Sequence, residues 1–81
     1  MTETKADPRL LLEKIAKWIV DAPDQVFVEH YEEDDVIELE VAEDEVGKII
    51  GRQGRTVRAL RALLSAAGAR AHKRYQLEVI D

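Results

Sequence analysis

The chain has 81 residues, 46% of them hydrophobic, no cysteine, and a formal net charge of −5. That length allows one small domain burying about 60% of its unfolded surface, and that apolar content excludes a disordered chain. Without cysteine there is no disulfide scaffold and no thiolate metal site; His30 and His72 stand far apart without a ligand spacing, so no metal and no cofactor are expected.

The opening "MTETKADPR" is acidic and lacks an apolar core, so it does not read as a signal peptide. Nothing in the chain approaches the roughly 18 apolar residues of a membrane span. A cytoplasmic protein without membrane contact is therefore expected. Residues 1–8 read as a flexible N-terminus and 9–81 as a single domain. Asp7 is placed to cap a helix that Pro8 can enter at its first turn. From 9 to 22, apolar residues at 11, 12, 15, 16, 19 and 20 give a helical period, and Pro23 marks its end. Trp18 is expected to pack at the margin of this helix.

"QVFVEHY", 25–31, is rich in β-formers, and "VIELEVA", 36–42, alternates Ile37, Leu39 and Val41 against Glu38 and Glu40. With the polar link "EEDD" at 32–35 they should form an antiparallel hairpin. "EDEVGKII", 43–50, opens with acids suited to a helix start and carries Val46, Ile49 and Ile50 at helical spacing. "RTVRALRALLSAA", 55–67, is a strong helix that Gly68 is expected to stop. "RYQLEVI", 74–80, alternates again and should lie parallel to the second strand through a right-handed crossover. The order α-β-β-α-α-β predicts an α+β fold, three strands in a mixed sheet with three helices on one face. Glu38, Glu40 and Glu78 then fall on the open face.

Charge is distributed unevenly along this order. Between Val46 and Leu77 there are eight Lys or Arg and no Asp or Glu, which leaves four cations and all 17 acids for the rest of the chain. A segment of charge +8 in a net acidic protein points to an anionic partner. At its centre lies Gly51-Arg52-Gln53-Gly54. A Walker loop requires Gly-x-x-x-x-Gly-Lys-Ser/Thr, and a dinucleotide loop requires Gly-x-Gly-x-x-Gly after a strand; neither spacing is met. A tight link between two helices fits instead. Two glycines let a sugar–phosphate backbone approach the amides, the next helix presents its N-terminus, and Arg52 and Arg55 add charge.

"VGKIIGRQGRTVRALRALL" resembles the core of a K-homology (KH) domain, with Gly51–Gly54 as the GXXG loop. The order of elements matches the type II version, and "IVDAPDQVFV" with the ending "LEVID" resembles the small bacterial single-KH proteins of the KhpA type, a match covering residues 10–81. The resemblance implies single-stranded RNA, about four nucleotides, held at the GXXG loop. The amides of Arg52, Gln53 and Gly54 would meet phosphates, with charge from Lys48, Arg52, Arg55 and Arg58. Ile49 and Ile50 would lie under the bases, one of the two being equally suited to the core, and Gly47 would belong to the same RNA-binding set. The strand around Ile37 to Val41 would form the opposite wall, and four carboxylates at 32–35 would border the RNA. Only four residues are aromatic (Trp18, Phe27, Tyr31 and Tyr75), consistent with a groove that grips bases with aliphatic side chains.

On the 55–67 helix, Val57, Leu60 and Leu64 share the core face, while Ala59, Ala62, Leu63 and Ala66 extend the apolar arc past what one sheet covers. Either the preceding helix covers that arc or a second subunit does. The resemblance implies a homodimer, or pairing with a larger KhpB-type KH protein. It also implies an RNA chaperone or post-transcriptional regulator linked to cell envelope and division. The alternative is a dimeric interaction adaptor in which RNA is secondary. No nucleophile–base pair is present, and neither an enzyme nor a small-molecule substrate is expected.

Overall fold

The computed structural model describes residues 7–81. Helix α1 spans Pro8–Ile19, strands β1 and β2 span Phe27–Tyr31 and Val36–Glu40, helix α2 spans Val46–Ile50, helix α3 spans Arg55–Ala71, and strand β3 spans Gln76–Val79. Three short 3₁₀ turns, Pro23–Gln25, Glu43–Glu45 and Arg52–Gly54, join them. The sheet order is β1-β2-β3, with β1 antiparallel and β3 parallel to the central β2. This is the expected α+β arrangement.

Alternation builds the core. Ile37, Leu39 and Leu77 face the helices and are buried, as are Leu12 and Ala16 of α1, Ile49 of α2, and Val57, Leu60 and Leu64 of α3. Burial of such aliphatic side chains contributes about 1.5–3 kcal/mol each before entropy is set against it. The Asp7 carboxylate caps α1, accepting from the Arg9 and Leu10 N–H groups at 3.0 and 3.2 Å, and Pro8 occupies the first turn. The rest of the expected flexible segment, residues 1–6, lies outside the described residues.

The open face of the sheet carries its acids in register. Glu29 lies opposite Glu38, and Glu38 opposite Glu78, so three carboxylates form a row across the three strands. Glu40 sits one step along the same face, opposite the exposed Phe27.

Several local expectations are corrected. α1 ends at Ile19 rather than 22, with Val20 turning to extended backbone. β1 begins at Phe27 and β2 ends at Glu40, so Val41 is buried beyond the strand. The 43–50 segment opens as a 3₁₀ turn before α2. Gly68 does not stop α3, which continues to Ala71 and closes at His72 in the left-handed conformation, φ +57°. Gly68 is buried, and a Cβ there would lie 2.5 Å from the Lys73 carbonyl oxygen. The position needs a missing side chain for close packing, not for termination. Trp18 is 91% exposed rather than packed; at 100° per residue it lies 200° around α1 from the buried Ala16.

Candidate nucleic-acid interface

The link between α2 and α3 is held in an unusual backbone. Gly51, Gln53 and Gly54 have φ of +77°, +56° and +74°. At Gly51 a Cβ would fall 2.2 Å from Thr56 Oγ1 and 2.8 Å from the Thr56 nitrogen, so only glycine fits. At Gly54 there is room for a side chain, and the left-handed backbone alone favours glycine. Gln53, between them, adopts that conformation with a side chain, at a cost of about 1–2 kcal/mol.

The loop amides are not equivalent. The Gly54 N–H donates to the Gly51 carbonyl at 3.1 Å, and the Arg55 N–H donates to the Arg52 carbonyl. Of the three amides expected to meet phosphates, that of Gly54 is therefore turned inward, and the accessible pair reduces to Arg52 and Gln53. No side chain caps the start of α3, so its positive dipole end is left to solvent or to a ligand.

Arg52, Arg55 and Arg58 are exposed and take part in no ion pair among the described residues. The Arg58 guanidinium folds back toward the loop, its nitrogen 3.8 Å from where a Gly54 Cβ would stand. Lys48 behaves differently. Its ammonium bonds the carboxylates of Asp21 and Glu45, the latter at 3.1 Å. These contacts, Asp21 foremost, hold the Lys48 ammonium above the usual lysine range. Its charge is already engaged by protein.

Glu45 is the residue that sequence reasoning missed. It is buried, and its carboxylate accepts the backbone N–H groups of Asp21 and Ala22, the latter at 3.0 Å. The Asp21 N–H, helped by Lys48 and Ala22, holds the carboxyl below the usual carboxylate range. Glu45 thus ties the segment after α1 to the start of α2, which carries the loop. Its partners are 23 and 24 residues away, so no local pattern marks it.

The isoleucines separate. Ile49 is fully buried in the core, and Ile50 is partly exposed and packed against it. Only Ile50, with the exposed Gly47, remains available beside the loop. Ile37, Leu39 and Val41, expected on an opposite wall, are buried in the core. The 32–35 link keeps three exposed acids, whereas Asp35 is half-buried, its carboxylate 4.0 Å from His30 Nε2. On α3, Ala59, Ala62, Leu63 and Ala66 are all exposed, Leu63 at 46%. The preceding helix does not cover the arc. Among the described residues no cluster of three metal-ligating side chains occurs, and no helix is long and apolar enough to cross a membrane.

Residues 9–79 match the family model described as KhpA/KhpB, KH domain. A protein of Clostridium acetobutylicum named RNA-binding protein KhpA is 44% identical over 72 residues, 86% of this chain and 96% of that protein. Proteins of the same name from Borreliella burgdorferi and Aquifex aeolicus are each 45% identical over 73 residues, covering 88% of this chain and 89% and 92% of theirs. No solved structure matches significantly.

Proposed function

The chain belongs to the KhpA/KhpB KH-domain family, and from that premise we propose that it is a single-stranded RNA-binding protein that clamps about four nucleotides at its GXXG loop. The observation that carries this reading is the loop itself: positive φ at Gly51, Gln53 and Gly54, an uncapped α3 start, and three exposed arginines without acidic partners among the described residues. The Arg52 and Gln53 amides receive a phosphate, Arg52, Arg55 and Arg58 neutralise it, and Gly47 and Ile50 meet the sugar and base. Lys48 contributes to the field while positioning the loop through Glu45 and Asp21. Few phosphate contacts make the binding weak, with a correspondingly shallow dependence on salt. Its role is that of a cytoplasmic RNA chaperone or post-transcriptional regulator, acting with a KhpB-type partner in envelope and division control.

The test is the double variant Arg52→Asp/Gln53→Asp, whose side chains are exposed. RNA crosslinking in cells should vanish while thermal unfolding stays cooperative; a folded variant that crosslinks as well as wild type would overturn the clamp.

A second reading, the dimeric adaptor, is favoured by the uncovered arc of Ala59, Ala62, Leu63 and Ala66. Sedimentation of Leu63→Glu should give half the wild-type mass; an unchanged mass removes α3 as the interface.

A further inference from the structure

Strand β1 is an edge of the sheet. Its five residues pair with β2 in unbroken register, from Phe27 opposite Glu40 to Tyr31 opposite Val36. Alternate residues therefore turn their N–H and C=O groups outward, away from β2. Among the described residues, one backbone bond reaches β1 from outside this ladder, the Asp34 N–H donating to the Tyr31 carbonyl within the hairpin turn. Exposed edges are ordinarily blunted by lysine, proline, a bulge or a covering element. "FVEHY" holds neither lysine nor proline, and the continuous register contains no bulge.

Helix α1 does not close the strand off. Two open hollows of about 310 and 350 Å³ lie along β1 beside the first half of α1. Both are lined by Arg9, Val28 and Glu29, so they form one trough along the strand. Arg9, the one Lys or Arg that lines it among the described residues, is engaged by Glu13 at 3.6 Å. Glu29, Glu32, Glu38 and Glu40 make the trough acidic. Phe27 and Tyr31 stand exposed on the same side of β1 as Glu29, one before it and one after.

We infer that a cationic, extended segment of a partner protein adds to β1 as a fourth strand. Its backbone takes up the outward N–H and C=O groups. Its side chains alternate, setting Lys or Arg opposite Glu29 and apolar groups opposite Phe27 and Tyr31. A second copy of the chain fits poorly. Glu29 is the middle residue of β1, so antiparallel pairing of two β1 strands in full overlap sets Glu29 against Glu29. RNA is repelled by the same acids. The inference does not depend on the RNA reading of the loop.

The probe is a labelled peptide of about nine residues alternating Lys with Val or Thr, its binding to the full chain followed by fluorescence anisotropy. The same peptide with Glu for Lys should not bind. Methylating one alternate set of backbone nitrogens should abolish binding, because that set faces the edge; binding that survives methylation of each set in turn is ionic only and overturns the inference. Glu29→Lys replaces an opposite-charge pair by a like-charge one and should weaken binding about fivefold or more. Glu78→Lys makes the same charge change on β3, at the far edge of the same face, and should weaken it less. Both substitutions remove repulsion from Glu38, so neither should unfold the protein. Hydrogen exchange of the outward β1 amides should be fast in the free protein and slowed by the peptide. Equal loss from the two substitutions, no binding of the Lys peptide, or equal binding of the Glu peptide overturns the inference. So does slow exchange without peptide, which would mean that this chain or a second copy already covers the edge.

Discussion

The open face of the sheet and the loop–α3 surface carry opposite charge by different structural means. On the sheet, Glu29, Glu38 and Glu78 are held side by side by strand register, and an ordinary extended backbone suffices. At the loop, the cations ride on a segment where three of four residues have positive φ. The acidic face could change residue by residue with little consequence for the fold. The basic one depends on backbone geometry. The two signs meet at Lys48, which Asp21 and Glu45 engage; of the eight cations from 46 to 77 it alone forms an ion pair among the described residues. Keeping the other cations free costs some Coulombic stabilisation. It leaves the molecule with a polar field, negative over the sheet face and positive over the loop–α3 surface.

The sharpest break of this contrast is at the loop. Gly51→Ala places a Cβ against Thr56 backbone and side chain on a left-handed residue and should cost about 3 kcal/mol in urea unfolding. Gly54→Ala, with the same backbone sign and open space, should cost about 1 kcal/mol. Equal costs would mean that backbone conformation, not the Thr56 contact, makes the loop glycine-dependent.

The junction is the next place to press. Glu45→Gln removes the charge that holds the Asp21 and Ala22 N–H groups and one partner of Lys48. In wild type the native carboxyl is held below its ordinary value, so this stabilisation is complete above the unfolded value of about 4.3 and is lost as pH falls through the native one. The variant should melt at lower temperature at neutral pH, and the gap to wild type should close on acidification. A gap independent of pH would show that the carboxylate's charge is not what joins the two segments.

These residues also mark how far the sequence could be read. Element order and sheet faces were legible because alternation in "VIELEVA" and the helical period around Val57, Leu60 and Leu64 are strong local signals, each agreeing with burial. The loop was legible as a motif. What failed depended on distant contacts. Glu45 looks like any acid at a helix start; its function comes from N–H groups over 20 residues away. Gly68 carries the right residue for a helix stop, yet the close approach of Lys73 is what selects it. Ile49 and Ile50 are adjacent in a short apolar run, and only tertiary packing decides which is buried. The inward turn of the Gly54 amide follows from dihedral angles that the letters Gly-Arg-Gln-Gly permit but do not dictate.

The smallest expected effect tests the other side of the contrast. Glu78 is exposed and lies directly opposite Glu38, which is itself opposite Glu29 and accepts a hydrogen bond from the Tyr31 hydroxyl at 3.1 Å. Like charges so paired are destabilising. Glu78→Gln removes one member of the row while leaving the Tyr31–Glu38 bond in place, and should stabilise by about 0.2–1 kcal/mol, more at low salt than at high. Affinity for short RNA should be unchanged, because the altered charge lies on the face opposite the helices. Destabilisation would mean that Glu78 makes a favourable contact that outweighs the repulsion. A clear gain in RNA affinity would mean that the two charged surfaces are not independent, and that the acidic row limits binding at the loop through the long-range field.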